Sequence, residues 1–383
     1  MKKVFVLAFG VIITALFVLQ VHNIVHFPLN RGFDALNHID YVNYLKTIHQ
    51  IPMANEGWEL YQAPLYYLLA MIFSKTEFIR LLNLFMWLIL LIASFLFFNK
   101  IFKKIEFSLL STILVISLPA VIYLTPTISN ELFSGIMISI TLMYYAINRN
   151  RFNLYDQIIT GSLLGLSLLS KVTAFILLFC ICLDLFIKYL KNFRMLLIKI
   201  TIPLIIILAI AGWFYIRNII LFSNPFISSI DFPQFAMHQT PGFRDIKFFT
   251  DLSGFFKMDL FQAHHYSLWA GTYFSWFFDA HNVIVPVQSF SKIGILLIFL
   301  SIPIFIFFIL GYIKELKSKS KNIVLLLYPV MLFLAYIAYN FKLPFYSTVK
   351  GTFLVSAIVP FVYFTVQPAL PGPLRLEASR QVD

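Results

Sequence analysis

The sequence predicts an all-α fold: a multi-spanning transmembrane helical bundle of about ten helices with two long outer loops. Three observations predict it. Apolar runs of about the length a bilayer demands recur along the chain, most charged residues lie in the intervals between them, and those intervals alternate between basic and acidic. Hydrophobic residues make up 60% of the 383 positions and charged residues 12%, with a mean hydropathy of +0.85. A soluble domain is closer to half apolar and about a quarter charged. Such a chain cannot hide its apolar surface from water and belongs in a bilayer, which excludes the soluble repeat and disordered classes.

A spanning helix needs about 20 mainly apolar residues. The runs 4–22, 79–98, 107–124, 131–147, 157–170, 172–190, 200–220, 291–313, 323–340 and 351–366 are read as spans, the fifth being short and Gly-containing. Met1-Lys2-Lys3 before the first run resembles a signal peptide, but no small-residue cleavage site follows, so the run is read as an uncleaved first helix. With the N-terminus in the cytoplasm, the inner loops hold Lys100, Lys103 and Lys104; Arg149 and Arg151; Lys188, Lys191, Arg194 and Lys199; and Lys314, Lys317, Lys319 and Lys321. That is the pattern of the positive-inside rule. The formal charge of +12 is therefore a topology signal, and a nucleic-acid partner is not expected. The implied location is the plasma membrane, with membrane lipids as surroundings and the active face outward.

The outer loops 23–78 and 221–290 are long and hold most of the acids. Within the first, 34–50 is amphipathic, and the aromatic run Pro64–Phe73 is too short to span and suits the interface. Cys180 and Cys182 lie two apart on an apolar run, where a helix points them in different directions; neither a disulfide nor a metal pair is expected. Residues 1–366 form one membrane domain. From Gln367 to Asp383 the composition changes abruptly, losing Phe, Ile, Lys and Asn, and this tail is read as frameshift- or vector-derived.

Proton chemistry needs ionisable groups, and these concentrate in the first outer loop. If Phe33–Leu45 is helical, Asp34, His38 and Tyr41 share one face at i, i+4 and i+7, and Asn37, Asp40 and Tyr44 form an adjacent one. A carboxylate one turn from a histidine suits a general base; equally, Asp34 suits the N-cap of that helix. His264, His265 and His281 suggest a metal, but adjacent histidines diverge and no His-x3-His pair is present, so an aromatic loop folded over the site is expected instead. Glycine-rich nucleotide signatures and a serine elbow are absent.

The phrases Asp34-x3-His38-x2-Tyr41, Ile51-Pro52 and Glu59-x-Tyr61-Gln62-Ala63-Pro64-Leu65-Tyr66-Tyr67 together resemble the first outer loop of GT-C glycosyltransferases. The likeness is to bacterial members related to protein O-mannosyltransferases and aminoarabinose transferases, of the glycosyltransferase family 39 kind. Gly161-x3-Gly165-Leu166-x3-Ser170-Lys171, Ser129-Asn130-Glu131 and Gly212-Trp213-x3-Arg217-Asn218, with Pro225 beyond, are similar to further phrases of that family. Many relatives carry Asp-Glu where this chain has Asp34-Ala35, so a single carboxylate does the work of a pair, or Asp40 substitutes.

The resemblance implies a membrane enzyme that moves a sugar from a polyprenyl-phosphate carrier to a glycan, lipid or protein acceptor by inverting single displacement. It implies Asp34, Asp40 and His38 as catalytic residues. It implies Tyr41, Glu59, Tyr61, Gln62, Glu131, Lys171, Arg217, Asn218 and Lys350 as substrate-binding residues, with Arg217 and Lys171 meeting the leaving phosphate. No metal ligand set and no cofactor are implied. The rival reading is a lipid-linked-glycan transporter or flippase, which explains the spans and cations but not the acids gathered in one loop.

The topology is open to direct test. Single cysteines placed at Asn55 and Ser320 should differ in labelling by an impermeant reagent added outside intact cells, with Asn55 reactive and Ser320 protected. Equal labelling of both overturns it.

Overall fold

In hydrocarbon every backbone N–H and C=O must be paired within the chain, and a helix does this with residues four apart. The structure, a computed structural model, describes residues 2–235, 244–281, 291–318 and 321–370, and is all-helical with no strand among the described residues. Part of the loop 221–290, Lys319 and the tail beyond Leu370 lie outside the described residues. The helices are α1 (Lys2–His26), α2 (Ala35–Ile48), α3 (Leu65–Ala70), α4 (Arg80–Phe102), α5 (Ile105–Ile116), α6 (Pro119–Leu124), α7 (Asn130–Asn148), α8 (Leu154–Ser170) and α9 (Ala174–Tyr189). They continue as α10 (Phe193–Ile207), α11 (Trp213–Phe222), α12 (Ile246–Thr250), α13 (Gly254–Lys257), α14 (Ala263–Tyr266), α15 (Leu268–Phe277), α16 (Ser291–Leu316), α17 (Ile323–Lys342) and α18 (Ile358–Val366).

Seven helical stretches among the described residues are long and apolar enough to cross a membrane: Val4–His26, Thr76–Phe102, Asn130–Asn148, Phe193–Phe222, Ser291–Leu316, Ile323–Lys342 and Tyr346–Ala369. The sequence suggested ten, and the other three runs form shorter helices for identifiable reasons. The run 107–124 is broken at Leu118, whose extended backbone (ψ 128°) is what a following proline imposes, and Pro119 starts α6. The runs 157–170 and 172–190 become α8 and α9, of 17 and 16 residues, interrupted at Lys171.

The first stretch is exposed along nearly its whole length, as a helix facing lipid would be, while the last is buried along nearly all of it. Gly161 and Gly165 set one close packing. A methyl on Gly161 would sit 3.0 Å from the Pro203 backbone, and one on Gly165 would sit 2.9 Å from Ile210. Small residues four apart thus let α8 lie against α10 and the π-turn Leu208–Gly212 that follows it.

Charges collect at two ends of the bundle. At one, Arg149 binds both oxygens of Asp184 at 2.5 and 3.1 Å, and Tyr145 donates to the same carboxylate at 2.7 Å. Arg151 pairs with Asp156 at 2.8 Å, and Asp156 closes a capping box with Asn153 at the start of α8. Lys188 donates to the Arg149 carbonyl, and Arg149 reaches the carbonyl of Lys321, so three of the basic clusters seen in sequence share this end. Gln367 and Leu370 dock here as well: Lys314 donates to both carbonyls, and the Gln367 amide meets the buried Glu315. Gln367 and Leu370, in the compositionally odd tail, are therefore buried in the structure.

Asp184 is fully buried, so removing one partner of its pair leaves an uncompensated charge. Asp184→Ala should lower stability by about 3–5 kcal/mol, whereas an Arg149→Met/Asp184→Leu double substitution recovers most of that loss. Thermal unfolding of the purified protein reads both; a single substitution as stable as the native chain would deny the pair its anchoring role.

Candidate functional site

At the opposite end, five separated parts of the chain meet. Glu131, in the first turn of α7, and Lys171, the C-terminal cap of α8, form an ion pair of 2.5 Å. Lys350 enters from the segment before the 3₁₀ stretch Gly351–Ala357, its ammonium 4.0 Å from the Phe33 ring centroid and 4.8 Å from that of Phe353. Lys171 lies 5.2 Å over the other side of this small aromatic cage, again on Phe353. Both lysines are buried, and cation–π contact stabilises an ammonium best where water is excluded.

The first loop supplies the acids. Helix α2 buries Ala35, His38, Tyr41, Val42 and Leu45, the face that the 3.6-residue period predicts. Asp34 stands at its N-cap in a left-handed conformation (φ 54°), yet its side chain makes no capping bond. The Asp34 carboxylate instead accepts from the Trp58 indole at 3.3 Å. Glu59 is buried and accepts from the Gln62 amide at 2.8 Å; Gln62 also donates to the Tyr61 hydroxyl and accepts from Asn130 at 3.2 Å. Burial, and then the nearby charge of Asp34, push the Glu59 carboxyl up to about 8, so it holds its proton at neutral pH. His38 is held down to about 3 by burial, with Glu131, Lys171 and Lys350 as its charged neighbours. It is a neutral imidazole, one nitrogen fixed 2.7 Å from the Tyr67 hydroxyl.

Other predicted site residues frame this cluster. Tyr41 stacks on Tyr67 with centroids 3.8 Å apart and donates to the Gln62 carbonyl, so it shapes the loop from behind. Arg217 donates to the carbonyls of Ile51 and Pro52, both at 2.9 Å, and clamps the far end of the loop. Asn218 reaches the Pro225 carbonyl at 3.4 Å. Asp40 is exposed, on the face of α2 turned away from the buried one that carries His38. The structure thus gathers Asp34, His38, Glu59, Tyr61, Gln62, Glu131, Lys171 and Lys350, and leaves Asp40 outside.

Within the run Pro64–Phe73, Tyr66 and Tyr67 are fully buried, Tyr67 stacking on Tyr41 and Tyr66 packing on Phe133, while Leu68 and Ile72 are exposed. One expectation needs correction. The histidines do not diverge: on the short helix α14 the His264 and His265 rings lie 4.0 Å apart, and His281 lies 4.2 Å from His264. No group of three metal-ligating side chains converges among the described residues. The His281 ring meets Phe33 edge-on at 5.4 Å, so the second long loop does fold over the head of the first. Sequence reasoning missed Trp58, Phe33 and Phe353; aromatic residues are too common in this chain to stand out without coordinates. Comparison of the chain with known protein families, with curated proteins and with solved structures yields no match.

The Glu59 shift fixes a pH dependence. An acid whose folded pKa is raised binds more protons folded than unfolded, so stability is full below about 4.5 and falls as pH rises toward about 8. Glu59→Gln, which keeps the amide-sized side chain uncharged, should flatten that slope. Unfolding midpoints across pH 4 to 9 check it; an unchanged slope would mean that Glu59 is ionised throughout.

Proposed function

We propose that the chain is a multi-spanning membrane glycosyltransferase of GT-C type, using a polyprenyl-phosphate sugar as donor and a glycan, lipid or protein hydroxyl or amine as acceptor. The observation that carries the reading is the convergence of Asp34, Glu59, Glu131, Lys171 and Lys350, from five separated parts of the sequence, at one end of a membrane bundle. A site that neutralises a leaving phosphate and deprotonates an acceptor needs buried cations beside a carboxylate. Intramembrane-edge charges of this kind are costly and seldom kept without a use.

The residues divide the work. Asp34 takes the proton from the acceptor as the acceptor oxygen or nitrogen attacks the anomeric carbon. The bond from that carbon to the phosphate oxygen breaks with inversion, and Lys171 and Lys350 meet the charge left on the phosphate. Glu131 holds Lys171 in place until the phosphate arrives. Glu59, protonated, cannot act as the base; with Gln62 it orders the pocket and donates a hydrogen bond to a sugar oxygen. Asp40, exposed, takes no part.

The proposed topology has about ten crossings, the N-terminus in the cytoplasm of a plasma membrane and the site outward. It is supported by α8, which joins the Asp156 end to the Lys171 end, and by α9, which returns to Asp184. The short α5 and α6 likewise lead from Lys104 back to Thr127, whose carbonyl accepts from Asn83 near the start of α4.

The test is release of polyprenyl phosphate from a lipid-linked hexose by purified protein in nanodiscs. Asp34→Asn should cut turnover by about 10²–10⁴-fold, the usual loss for a general base, with folding nearly unchanged because the Asp34 side chain makes no capping bond and Asn tolerates the left-handed backbone. Native rates in both Asp34→Asn and Asp40→Asn would exclude the first loop from the chemistry, and transbilayer movement without release would point to a flippase.

A further inference from the structure

The second long loop holds a cleft of about 280 Å³ that the transfer chemistry above does not use. This is close to the lower end of ligand pockets, about 300 Å³, and suits a group the size of one sugar. Its walls combine the Tyr266 and His265 rings with the carboxylates of Asp245 and Asp251 and the ammonium of Lys257. Asp245 and Asp251 each commit one oxygen to a backbone N–H, at 3.1 and 2.7 Å, which fixes the carboxylates while leaving acceptor capacity toward the cleft. Most telling is the Tyr266 hydroxyl. The Tyr266 side chain is half-buried, its hydroxyl is shielded from water, and that hydroxyl has no hydrogen-bond partner among the described residues; an unpartnered hydroxyl of this kind is costly unless something binds it.

Rings backed by paired carboxylates, an ammonium and a hydroxyl match a saccharide. The Lys257 ammonium covers one face of Tyr266, 4.6 Å from the ring centroid; the C–H face of a sugar lies against the negative face that remains, while its hydroxyls divide between carboxylate acceptors and donors such as Lys257. The surroundings say how such a sugar is presented. Ile246, Leu252 and Phe256 beside the cleft are 73%, 53% and 88% exposed, and Phe249 stacks at 3.9 Å on Phe341 in the last turn of α17. Exposed apolar residues interleaved with Lys247 and Lys257, set at the end of a spanning helix, form an interfacial surface. A chain of rings then leads inward from His265 through His264 and His281 to Phe33, the neighbour of Asp34.

We infer that this cleft is a subsite for the sugar head of a membrane-anchored acceptor. The inference rests on the glycosyltransferase reading for the word acceptor, but saccharide binding is measured without turnover. The full chain in nanodiscs is titrated with methyl hexosides and with the corresponding hexadecyl hexosides, following saturation transfer to the ring protons. Both sets should bind, the hexadecyl set at least about tenfold more tightly because the bilayer concentrates it. Tyr266→Phe should weaken binding about five- to tenfold, the worth of one hydrogen bond, while the unfolding midpoint stays level or rises. A structural hydroxyl would do the opposite. Transfer is measured separately on the same preparation, and Asp40→Asn, exposed and outside both sites, should bind like the native chain, so a dead transfer reaction and an empty subsite give different results. Unchanged binding in both Tyr266→Phe and Asp251→Asn overturns the subsite. Equal affinity for methyl and hexadecyl hexosides overturns the membrane-anchored acceptor in favour of a soluble one.

Discussion

A charge placed among hydrocarbon must be paired or brought to an end of the bundle, and the arrangement of this molecule follows from that constraint. The Lys171–Glu131 pair meets it in a specific way. Glu131 lies in the first turn of α7, where the helix dipole is positive, and Lys171 caps the C-terminal end of α8, where it is negative. Because α7 and α8 are antiparallel neighbours, those two helix ends coincide, and the dipoles and the ion pair reinforce each other. The other ends of the same helices repeat the logic with signs in the same sense. Arg149 follows α7 and Asp156 opens α8, each in an ion pair of its own. Two antiparallel helices thus fix both polar ends of the bundle, and the loops attach to ends already decided.

Hydropathy read the long apolar helices correctly because membrane insertion is itself a matter of length and composition. α1, α16 and α17 begin and end within a few residues of the runs seen in sequence. It read less well where chain geometry competes with composition. Pro119 splits one run, and the last span begins as the 3₁₀ stretch Gly351–Ala357 before becoming α18. Neither alters hydropathy, so a window average passes over both. Composition breaks at Gln367, where the tail loses Phe, Ile, Lys and Asn. The Gln367 side chain meets the buried Glu315, a partner 52 positions away.

The candidate site was legible where it is local and hidden where it is not. The shared face of Asp34, His38 and Tyr41 follows from helical period alone, and α2 buries His38 and Tyr41 as that period requires. The same arithmetic could not choose between Asp34 and Asp40, because it gives directions around a helix and not which direction faces protein. Lys171 was found by its position at a helix end, but its pairing with Glu131 joins residues 40 apart, and nothing in spacing encodes that. Arg217, near a helix end and in a phrase that resembles the family's, carried the expectation of a phosphate contact; one of its nitrogens donates to two backbone carbonyls of the first loop.

Asp34 itself distinguishes a cap from a chemical group. Aspartate is among the best N-cap residues because its carboxylate accepts from backbone N–H groups exposed in the first turn. That bond requires an extended backbone at the cap, and here the backbone is left-handed, with φ at 54°. A non-glycine residue pays strain in this region, of order 1–3 kcal/mol, and such strain persists only where surrounding structure holds it. The conformation turns the carboxylate away from the helix N-terminus and toward Trp58 and the buried Glu59, whose proton it helps to retain. The chain therefore forgoes a cap and accepts strain to place one carboxylate beside a protonated one, near Lys350 and near Lys171, which pairs with Glu131. Stability alone gives no reason for that exchange; the acid–base role proposed above for Asp34 supplies one.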